Sequence, residues 1–270
     1  MALALDANGA SRVFIVGRRE DRLKAVASEA IKGSVIPIVG DISLKESLQS
    51  VYAQVAAKTD HVDLFIANSG TLGPASAPPQ GETTLQQLQQ YLCGIPMEDF
   101  SRVLEVNVTG TFYSIITFLP LLDASNSRRP PPTVGVLSPP RPQIVVVSSI
   151  GGFLRAALTG YAYCASKAAL NLLIKMLSTT LAKHHIRVNG IAPGVYYSEL
   201  TAGIYARQDI AGCGVSDGSY PQDQIPLGRS GASEDIAGII LWMASMAGGY
   251  LSGSIIVSDG GRLSISPSSY

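Results

Sequence analysis

The chain has 270 residues, of which 46% are hydrophobic and 15% are charged. This composition excludes an intrinsically disordered chain, and the length suits one α/β domain with a single substantial core. Twenty basic and twenty acidic residues leave no net charge, so a nucleic-acid or acidic-membrane partner is not expected.

The cysteines and the apolar segments bear on the cellular compartment. Cys93, Cys164 and Cys213 are odd in number and widely spaced, which is typical of a reduced intracellular protein. The longest apolar run, near 111–122, is too short to cross a bilayer, and the first ten residues do not resemble a signal peptide. We therefore expect a cytoplasmic protein with no membrane partner. No histidine has acidic or cysteine neighbours at ligand spacing, so no metal site is expected.

Strand and helix patterns alternate along the chain. Short β-branched runs predict strands at 12–16, 34–39, 61–67, 144–148, 186–192 and 254–258. Helical spacing of apolar residues predicts helices at 2–8, 21–30, 44–57, 85–92, 98–122, 161–184 and 233–247. This alternation predicts parallel βαβ units with right-handed crossovers, in a doubly wound, three-layer αβα fold over one domain, 1–270.

Two irregular segments interrupt the alternation. Residues 125–142 contain six prolines, which exclude a regular helix or a central strand, and we interpret them as an exposed loop. Residues 195–224 are rich in glycine and carry Tyr196, Tyr197, Tyr205 and Tyr220. Such a loop is expected to cover a substrate, although these tyrosines are equally consistent with surface packing.

The stretch 149–167 carries the candidate chemistry. Tyr163 and Lys167 are separated by four residues, so on a helix they share one face, and Ser149 lies fourteen residues before the tyrosine. A phenol with a pKa of about 10 is a poor acid at neutral pH, whereas a nearby ammonium moves that pKa toward the working range. The pattern therefore indicates a general acid or base, and the alternative is a surface pair without a catalytic role.

Seven motifs occur together in a recognisable order. They are ANSG at 67–70, Asn107 within LEVNVTGTFY, SSIGGF at 148–153, YCASK at 163–167, RVNGIAPG at 187–194, IPLGRSGASEDIAG at 225–238 and SGSIIVSDGGRL at 252–263. On these residues the chain resembles the short-chain dehydrogenase/reductase family, classical type, over nearly its whole length. Its Pro-rich segment and its tail are similar to a fungal branch related to the 3-oxoacyl reductase of rhamnolipid synthesis.

The resemblance implies roles for four residues. Tyr163 would donate the proton, and Lys167 would bind the nicotinamide ribose and lower the tyrosine pKa. Ser149 would orient the carbonyl, with Ser148 as its rival because the spacing varies within the family. Asn107 would join a proton relay through a helix irregularity and a water; the alternative is a buried asparagine that satisfies backbone groups.

The cofactor is predicted to be NADP(H). The strand expected to face the adenosine ribose ends at Gly17 and is followed by Arg18 and Arg19, with no acid until Glu20. A carboxylate at this point bonds a 2′-hydroxyl, whereas a guanidinium pairs with a 2′-phosphate. The alternative is a pair of solvated arginines at a helix start. By resemblance, the remaining cofactor-binding residues are Asp41, Ile42, Asn68, Gly70, Pro193, Gly194, Val195 and Ser198.

The resemblance also implies a small carbonyl or alcohol substrate and a homodimer or homotetramer built on helices 98–122 and 161–184. One part of the family pattern is missing: its first strand and its T-G-x-x-x-G-x-G turn, which would make the chain about 20–25 residues short of a complete βαβ unit. The neighbouring strands would then close up on each other, another segment would fill the slot, or the chain as given starts too late. The expected activity is reduction of a ketone or 3-oxoacyl group, and the alternative is a non-redox or inactive relative with a binding or assembly role.

Overall fold

The structure is a computed structural model that describes residues 1–73, 79, 81–198, 201 and 213–270. The strands are β1 (Val13–Gly17), β2 (Val35–Val39), β3 (Leu64–Ala67), β4 (Gln143–Val147), β5 (Arg187–Pro193) and β6 (Ile255–Ser258). The helices are α1 (Ala2–Ala7), α2 (Glu20–Ser28), α3 (Lys45–Ala56), α4 (Leu85–Cys93), α5 (Met97–Leu104), α6 (Thr111–Ser127), α7 (Tyr161–Ala182), α8 (Ser233–Ala244) and α9 (Arg262–Ile265). The predicted α/β fold is confirmed, and every predicted strand and helix is present with ends shifted by a few residues.

All strand pairs are parallel, in two separate sheets. One sheet contains β1 and β2, and the other has the order β3-β4-β5-β6. The register aligns Val13 with Val35 in the first sheet and Ala67 with Val146 in the second. Parallel strands joined by helices place the carboxyl ends of β3, β4 and β5 side by side, and this edge carries the candidate site.

Helices cover both faces of the larger sheet. On one face, α6 and α7 bury Ile115, Leu122 and Ile174 against β4 and β5. On the other face, α8 buries Ile240 and Met243 against the same strands. The buried apolar side chains of these helices therefore pack on the two faces of the sheet, which gives the predicted three layers.

The apolar character of α6 also has its origin in this core. The continuous helical run Met97–Ser127 is long and apolar enough to cross a membrane by length and composition alone. Its residues Ile115, Phe118, Leu121 and Leu122 are buried inside the domain, so core packing accounts for part of the hydropathy, whereas Tyr113 and Ile116 are exposed.

A cleft separates the two sheets. It has a volume of about 760 Å³ and lies between β1 and β3, with α1 residues on its rim. The Val13 amide bonds Ser34, and the Asp63 carbonyl accepts from Gln143. Successive residues of a strand point their backbone groups to opposite sides. Four residues that alternate with the paired ones therefore direct their backbone N–H and C=O groups into the cleft: Phe14, Val16, Leu64 and Ile66. Among the described residues, the two strands neither close up on each other nor receive another segment between them.

One predicted boundary is wrong. Helix α6 continues to Ser127, so residues 125–127 are helical and the described loop covers only 128–142. The Ser125 hydroxyl donates to the Asp63 carboxylate, which fixes this last turn to the start of β3. Pro130 then stops the helix, because the residue before a proline disfavours helical backbone angles.

Candidate active site

The tyrosine and lysine of the YCASK motif lie side by side in the protein interior. Helix α7 begins at Tyr161, and Tyr163 and Lys167 are both buried, with Lys167 only 4% exposed. The Lys167 Nζ atom lies 5.6 Å from the Tyr163 ring centroid and donates to the Val147 carbonyl at 3.0 Å. Burial lowers the pKa of Lys167 from 10.5 to about 8, so the group is mainly an ammonium at pH 7. This burial excludes the surface-pair alternative.

The two consecutive serines after β4 point in different directions. Ser148 Oγ donates to Asn171 Oδ1 at 2.6 Å and also contacts the Lys167 carbonyl, so the Ser148 side chain is hydrogen-bonded to α7. Ser149 Oγ accepts from the Gly151 amide at 3.1 Å. A Cβ atom built on Gly151 would lie 3.2 Å from the Tyr163 ring and 3.4 Å from Ser149 Oγ, which places Ser149 on the tyrosine side.

Asn107 lies in an irregular turn of the long helical run. Residues Glu105–Gly110 form a π-helical turn between α5 and α6, and Asn107 is fully buried within it. Its side chain accepts from the Thr71 amide at 2.8 Å and donates to the Thr71 carbonyl and to Ser166 Oγ, both at 2.9 Å. The amide therefore fixes the loop after β3 to α7. A proton relay at this point would use the main chain of the π turn, because the side-chain groups are already bonded.

The turn after β3 packs closely against the lysine. A Cβ atom on Gly70 would lie 3.6 Å from Lys167 Nζ and 3.3 Å from Asn107 Oδ1. The absence of a side chain at Gly70 leaves room beside the ammonium. Gly70 and Lys167 thus border one recess at the carboxyl edge of β3 and β4, whereas Asn68 lines the cleft beside β1.

The residues predicted to bind the adenosine end lie at the carboxyl ends of β1 and β2. The Arg18 side chain is exposed and forms a 4.0 Å ion pair with Asp41. Hydrogen bonds from Ser43 to its carboxylate, together with Arg18, lower the pKa of Asp41. Ile42 packs against Gly110 of the π turn, and Arg19 precedes α2 as its N-cap residue. The arginine, the carboxylate and the apolar side chain are therefore neighbours.

The residues after β5 form the opposite side of the edge. The Pro193 carbonyl lies 3.5 Å from Ser149 Oγ, and a Cβ atom on Gly194 would lie 2.7 Å from the Asp259 backbone. Val195 is buried, whereas Ser198 is exposed and bonds Thr201. Ser198 thus lies at the described end of this segment.

Part of the predicted substrate loop 195–224 lies outside the described residues, and so does Tyr205. Tyr196 donates to or accepts from Ser258 at 2.6 Å, and its ring packs on Gly231. Tyr220 is buried against Val195 and Ile225. These two tyrosines therefore pack against other parts of the protein, which agrees with the packing alternative.

The chemistry of the residues at the two ends of this site suits a nicotinamide dinucleotide. The recess beside Gly70 and Lys167 suits a ribose, and Arg18 beside Asp41 suits an adenosine phosphate end. Between these ends, Asn68 lines the open cleft, and the N-terminus of α2 follows Gly17. The described residues also contain no group of three or more metal-ligating side chains.

Sequence reasoning missed several residues that position this site. Ser166 supports Asn107, Asn171 holds Ser148, and Asp259 packs against Gly194. Ser166 lies within the YCASK motif, so its position near Tyr163 in the sequence could have identified it. Asn171 and Asp259 make contacts between distant segments, which no local pattern reports.

Parallel strands flanked by helices, with a buried tyrosine–lysine pair at the carboxyl edge, define a Rossmann-like class of α/β proteins. Comparison with known proteins identifies the family. The model of a family described as Enoyl-(Acyl carrier protein) reductase matches residues 1–262. Short-chain dehydrogenase/reductase PhomF' of Diaporthe leptostromiformis is 43% identical over 268 residues, which cover 99% of this chain and 87% of that relative.

Two further comparisons involve Pseudomonas aeruginosa. Its rhamnolipids biosynthesis 3-oxoacyl-(acyl-carrier-protein) reductase is 29% identical over 252 residues, 93% of this chain and 86% of that protein. The structure of a Pseudomonas aeruginosa RhlG/NADP active-site complex superposes with a TM-score of 0.73 and 28% identity, over 97% of this chain and 89% of that one. The chain belongs to the short-chain dehydrogenase/reductase family of oxidoreductases.

Proposed function

We propose that this protein is an NADP(H)-dependent reductase that converts a ketone or 3-oxoacyl group into a secondary alcohol, with Tyr163 as proton donor. The observation that carries the proposal is the buried Tyr163–Lys167 pair with Ser149 on the tyrosine side. Three such groups at one point suit the polarisation and protonation of a carbonyl oxygen.

Each residue has a distinct part in the reaction. A bound nicotinamide supplies a hydride for the carbonyl carbon. Tyr163 gives its phenolic proton to the carbonyl oxygen, and the Lys167 ammonium stabilises the phenolate that remains. Ser149 donates a hydrogen bond that holds the same oxygen. The proton that replaces the one given up by Tyr163 arrives through the π turn at Asn107.

The cofactor and substrate assignments have separate support. Arg18 at the end of β1 favours a 2′-phosphate and hence NADP(H), in line with the NADP complex to which the fold is similar. A 3-oxoacyl substrate is named for a relative at 29% identity. For this chain we extend the substrate class to ketones, because the three groups recognise only the carbonyl.

We further propose a cytoplasmic homo-oligomer. Cys93 and Cys164 form no disulfide bond, which suits a reducing compartment. Exposed apolar side chains occur on both α6 and α7: Tyr113, Ile116, Leu172 and Met176. Paired across a two-fold axis, these helices would bury them in a dimer or tetramer, which sedimentation of the purified protein would detect.

The test of the reductase proposal combines cofactor binding with turnover. We expect calorimetry to show NADPH binding tighter than NADH binding, and Tyr163→Phe to lower kcat by about 10²- to 10⁴-fold with little change in NADPH affinity. Tyr161→Phe is the matched control, because it removes a phenol from the same helix turn and should leave kcat unchanged. A cooperatively folded protein that binds neither dinucleotide would contradict the proposal. It would favour the non-redox alternative.

A further inference from the structure

Three arginines lie together at the amino edge of the larger sheet, opposite the candidate active site. Arg129 follows α6, Arg141 precedes β4, and Arg187 is the first residue of β5. The Arg129 amide donates to the Asn126 carbonyl at 3.3 Å, and Arg141 Nη1 donates to Asn126 Oδ1 at 3.2 Å. The Arg187 Nε atom donates to the Arg141 carbonyl at 3.1 Å. These contacts join Arg129, Arg141 and Arg187 into one arginine cluster.

Carboxylates do not neutralise the arginine cluster. Among the described residues, none of its three members forms an ion pair, whereas the preceding Arg128 pairs with Asp60 at 2.8 Å. Burial and the charge of Arg141 lower the pKa of Arg129, and burial and the charge of Arg129 lower the pKa of Arg187. Arginine stays protonated in proteins, so the cluster holds like charges that repel each other.

Donor groups of the cluster also lack acceptors. The Arg129 Nη1 atom is buried and has no hydrogen-bond partner. The Arg141 residue is exposed, and its guanidinium donates only to Asn126 within the described part of the chain. Arg187 differs, because its Nη1 atom donates to three protein oxygens and is thereby fixed. A buried donor without an acceptor is rare in native proteins, and a bound ion is one of the partners that satisfies it.

The cleft between the two sheets extends to this edge. Arg141 and Arg187 line it, together with the apolar residues Leu64, Pro140 and Ala244. Its volume of about 760 Å³ is within the range of small-molecule sites, which combine apolar walls with a few polar groups. The cluster therefore has an adjoining cavity that can hold the body of a ligand.

An acidic residue, Asp63, lines the same cleft. Its carboxylate accepts from the Ser125 hydroxyl at 2.5 Å and lies 3.7 Å from His61 Nε2. Asp63 is thus bonded to partners other than the arginines.

We propose that the arginine cluster binds the phosphate group of a small soluble phosphate monoester, and that the apolar part of this ligand lies in the amino end of the cleft. A phosphate monoester carries nearly two negative charges at pH 8 and has three acceptor oxygens, which guanidinium groups bond in pairs. A carboxylate supplies a single charge to the same cluster. The proposal does not rest on the reductase function, because the site lies at the opposite edge of the sheet.

The experiment is a calorimetric titration at pH 8, in a phosphate-free buffer of low ionic strength, with phenyl phosphate and inorganic phosphate as probes. Phenyl phosphate should bind with a Kd of about 10⁻⁴ M or lower, and about 3- to 10-fold more tightly than inorganic phosphate, because its ring enters the cleft. Arg129→Ala and Arg141→Ala should each raise this Kd at least about 10-fold. Arg129→Lys should have a smaller effect, because it keeps the charge and loses the paired donors.

Arg128→Ala is the matched control, because Arg128 is paired with Asp60, and its Kd should stay within about two-fold of wild type. Arg18→Ala should also leave the Kd unchanged, because Arg18 lies at the proposed dinucleotide site. Absence of saturable binding would overturn the proposal, and so would binding that is lost in Arg18→Ala and kept in Arg129→Ala. Binding to phosphatidic acid vesicles without binding to phenyl phosphate would replace the soluble ligand by a lipid. If Arg141→Ala fails to fold, Arg129→Ala decides, because the orphaned Arg129 Nη1 holds no other group.

Discussion

The Lys167 ammonium lies 5.6 Å from the centroid of the Tyr163 ring and donates a hydrogen bond to a neutral acceptor, the Val147 carbonyl. This environment disfavours the charged form of the lysine, because burial removes water without adding a carboxylate to the hydrogen bond. The same environment holds positive charge beside the phenol. Folding stability therefore disfavours the ammonium of Lys167, whereas the proposed catalysis requires it.

The first prediction concerns stability at this residue. The pKa of Lys167 falls from 10.5 to about 8 on folding, so between these pH values the folded state releases the proton first and the free energy of unfolding rises with pH. Below about pH 8 both states hold the proton and the penalty is constant. We expect Lys167→Met to abolish reduction, to stabilise the fold at pH 7 by about 1–3 kcal/mol and to remove this rise.

Urea unfolding of wild type and variant between pH 7 and 10.5 measures the effect. Lys183→Met is the control, since Lys183 is exposed at the end of the same helix. A destabilised Lys167→Met at pH 7 would show that the ammonium has further partners.

The second prediction separates the two serines after β4. Ser149→Ala should lower kcat/KM by about 10²-fold, because it removes a donor to the carbonyl oxygen, and should cost less stability than Ser148→Ala, because only the part-buried Gly151 amide loses its acceptor. Ser148→Ala should cost about 1–2 kcal/mol of stability, because Asn171 loses its bonded partner while its own Nδ2 is already unsatisfied. Steady-state kinetics and urea unfolding of both variants test this assignment, and the reverse pattern would make Ser148 the catalytic serine.

The third prediction concerns the fit between the loop after β4 and α7. A Cβ atom on Gly152 would lie 2.6 Å from the Lys167 backbone, which has little freedom to move. Gly152→Ala should therefore cost about 1–3 kcal/mol and lower kcat by displacing Ser149 from Tyr163. Gly238→Ala in α8 is the matched control, because nothing lies within 4 Å of the added atom, and its higher helix propensity should leave the protein as stable or more so.

The fourth prediction tests the cofactor preference. The Arg18 side chain forms only a 4.0 Å pair with Asp41, so it remains able to turn toward a phosphate. Arg18→Ala should raise the NADPH Kd by about 10-fold and change the NADH Kd by less than about two-fold. Arg22→Ala on α2 serves as the control. An equal effect on both dinucleotides would show that Arg18 does not read the 2′-phosphate.

The fifth prediction concerns the cleft between β1 and β3. The Phe14, Val16, Leu64 and Ile66 amides face this cleft, whereas the Ile144 amide lies in a strand paired on both sides. Amide exchange followed by NMR should therefore be at least about 10²-fold faster at the four cleft residues than at Ile144. Equal protection would show that the cleft closes in solution.

Much of the fold and of the candidate site could be predicted from local sequence patterns. The period of the apolar residues predicted each strand and helix, because a two-residue or 3.6-residue repeat determines which face is buried. The order of the motifs was sufficient to identify the family. The spacing of Tyr163 and Lys167 predicted a shared face, because both lie on one continuous helix.

The sequence by itself thus determined the α/β class, the family and the candidate tyrosine, lysine and serines. Only the tertiary structure decided that Lys167 is buried without a carboxylate bonded to it, that Ser149 and not Ser148 lies beside Tyr163, and that Tyr270 packs on Phe153. It also decided that the cleft beside β1 stays open among the described residues. The physical reason is the same in each case. Burial, side-chain direction and strand pairing depend on segments far apart in the chain, and a local pattern contains no information about which distant atoms will meet.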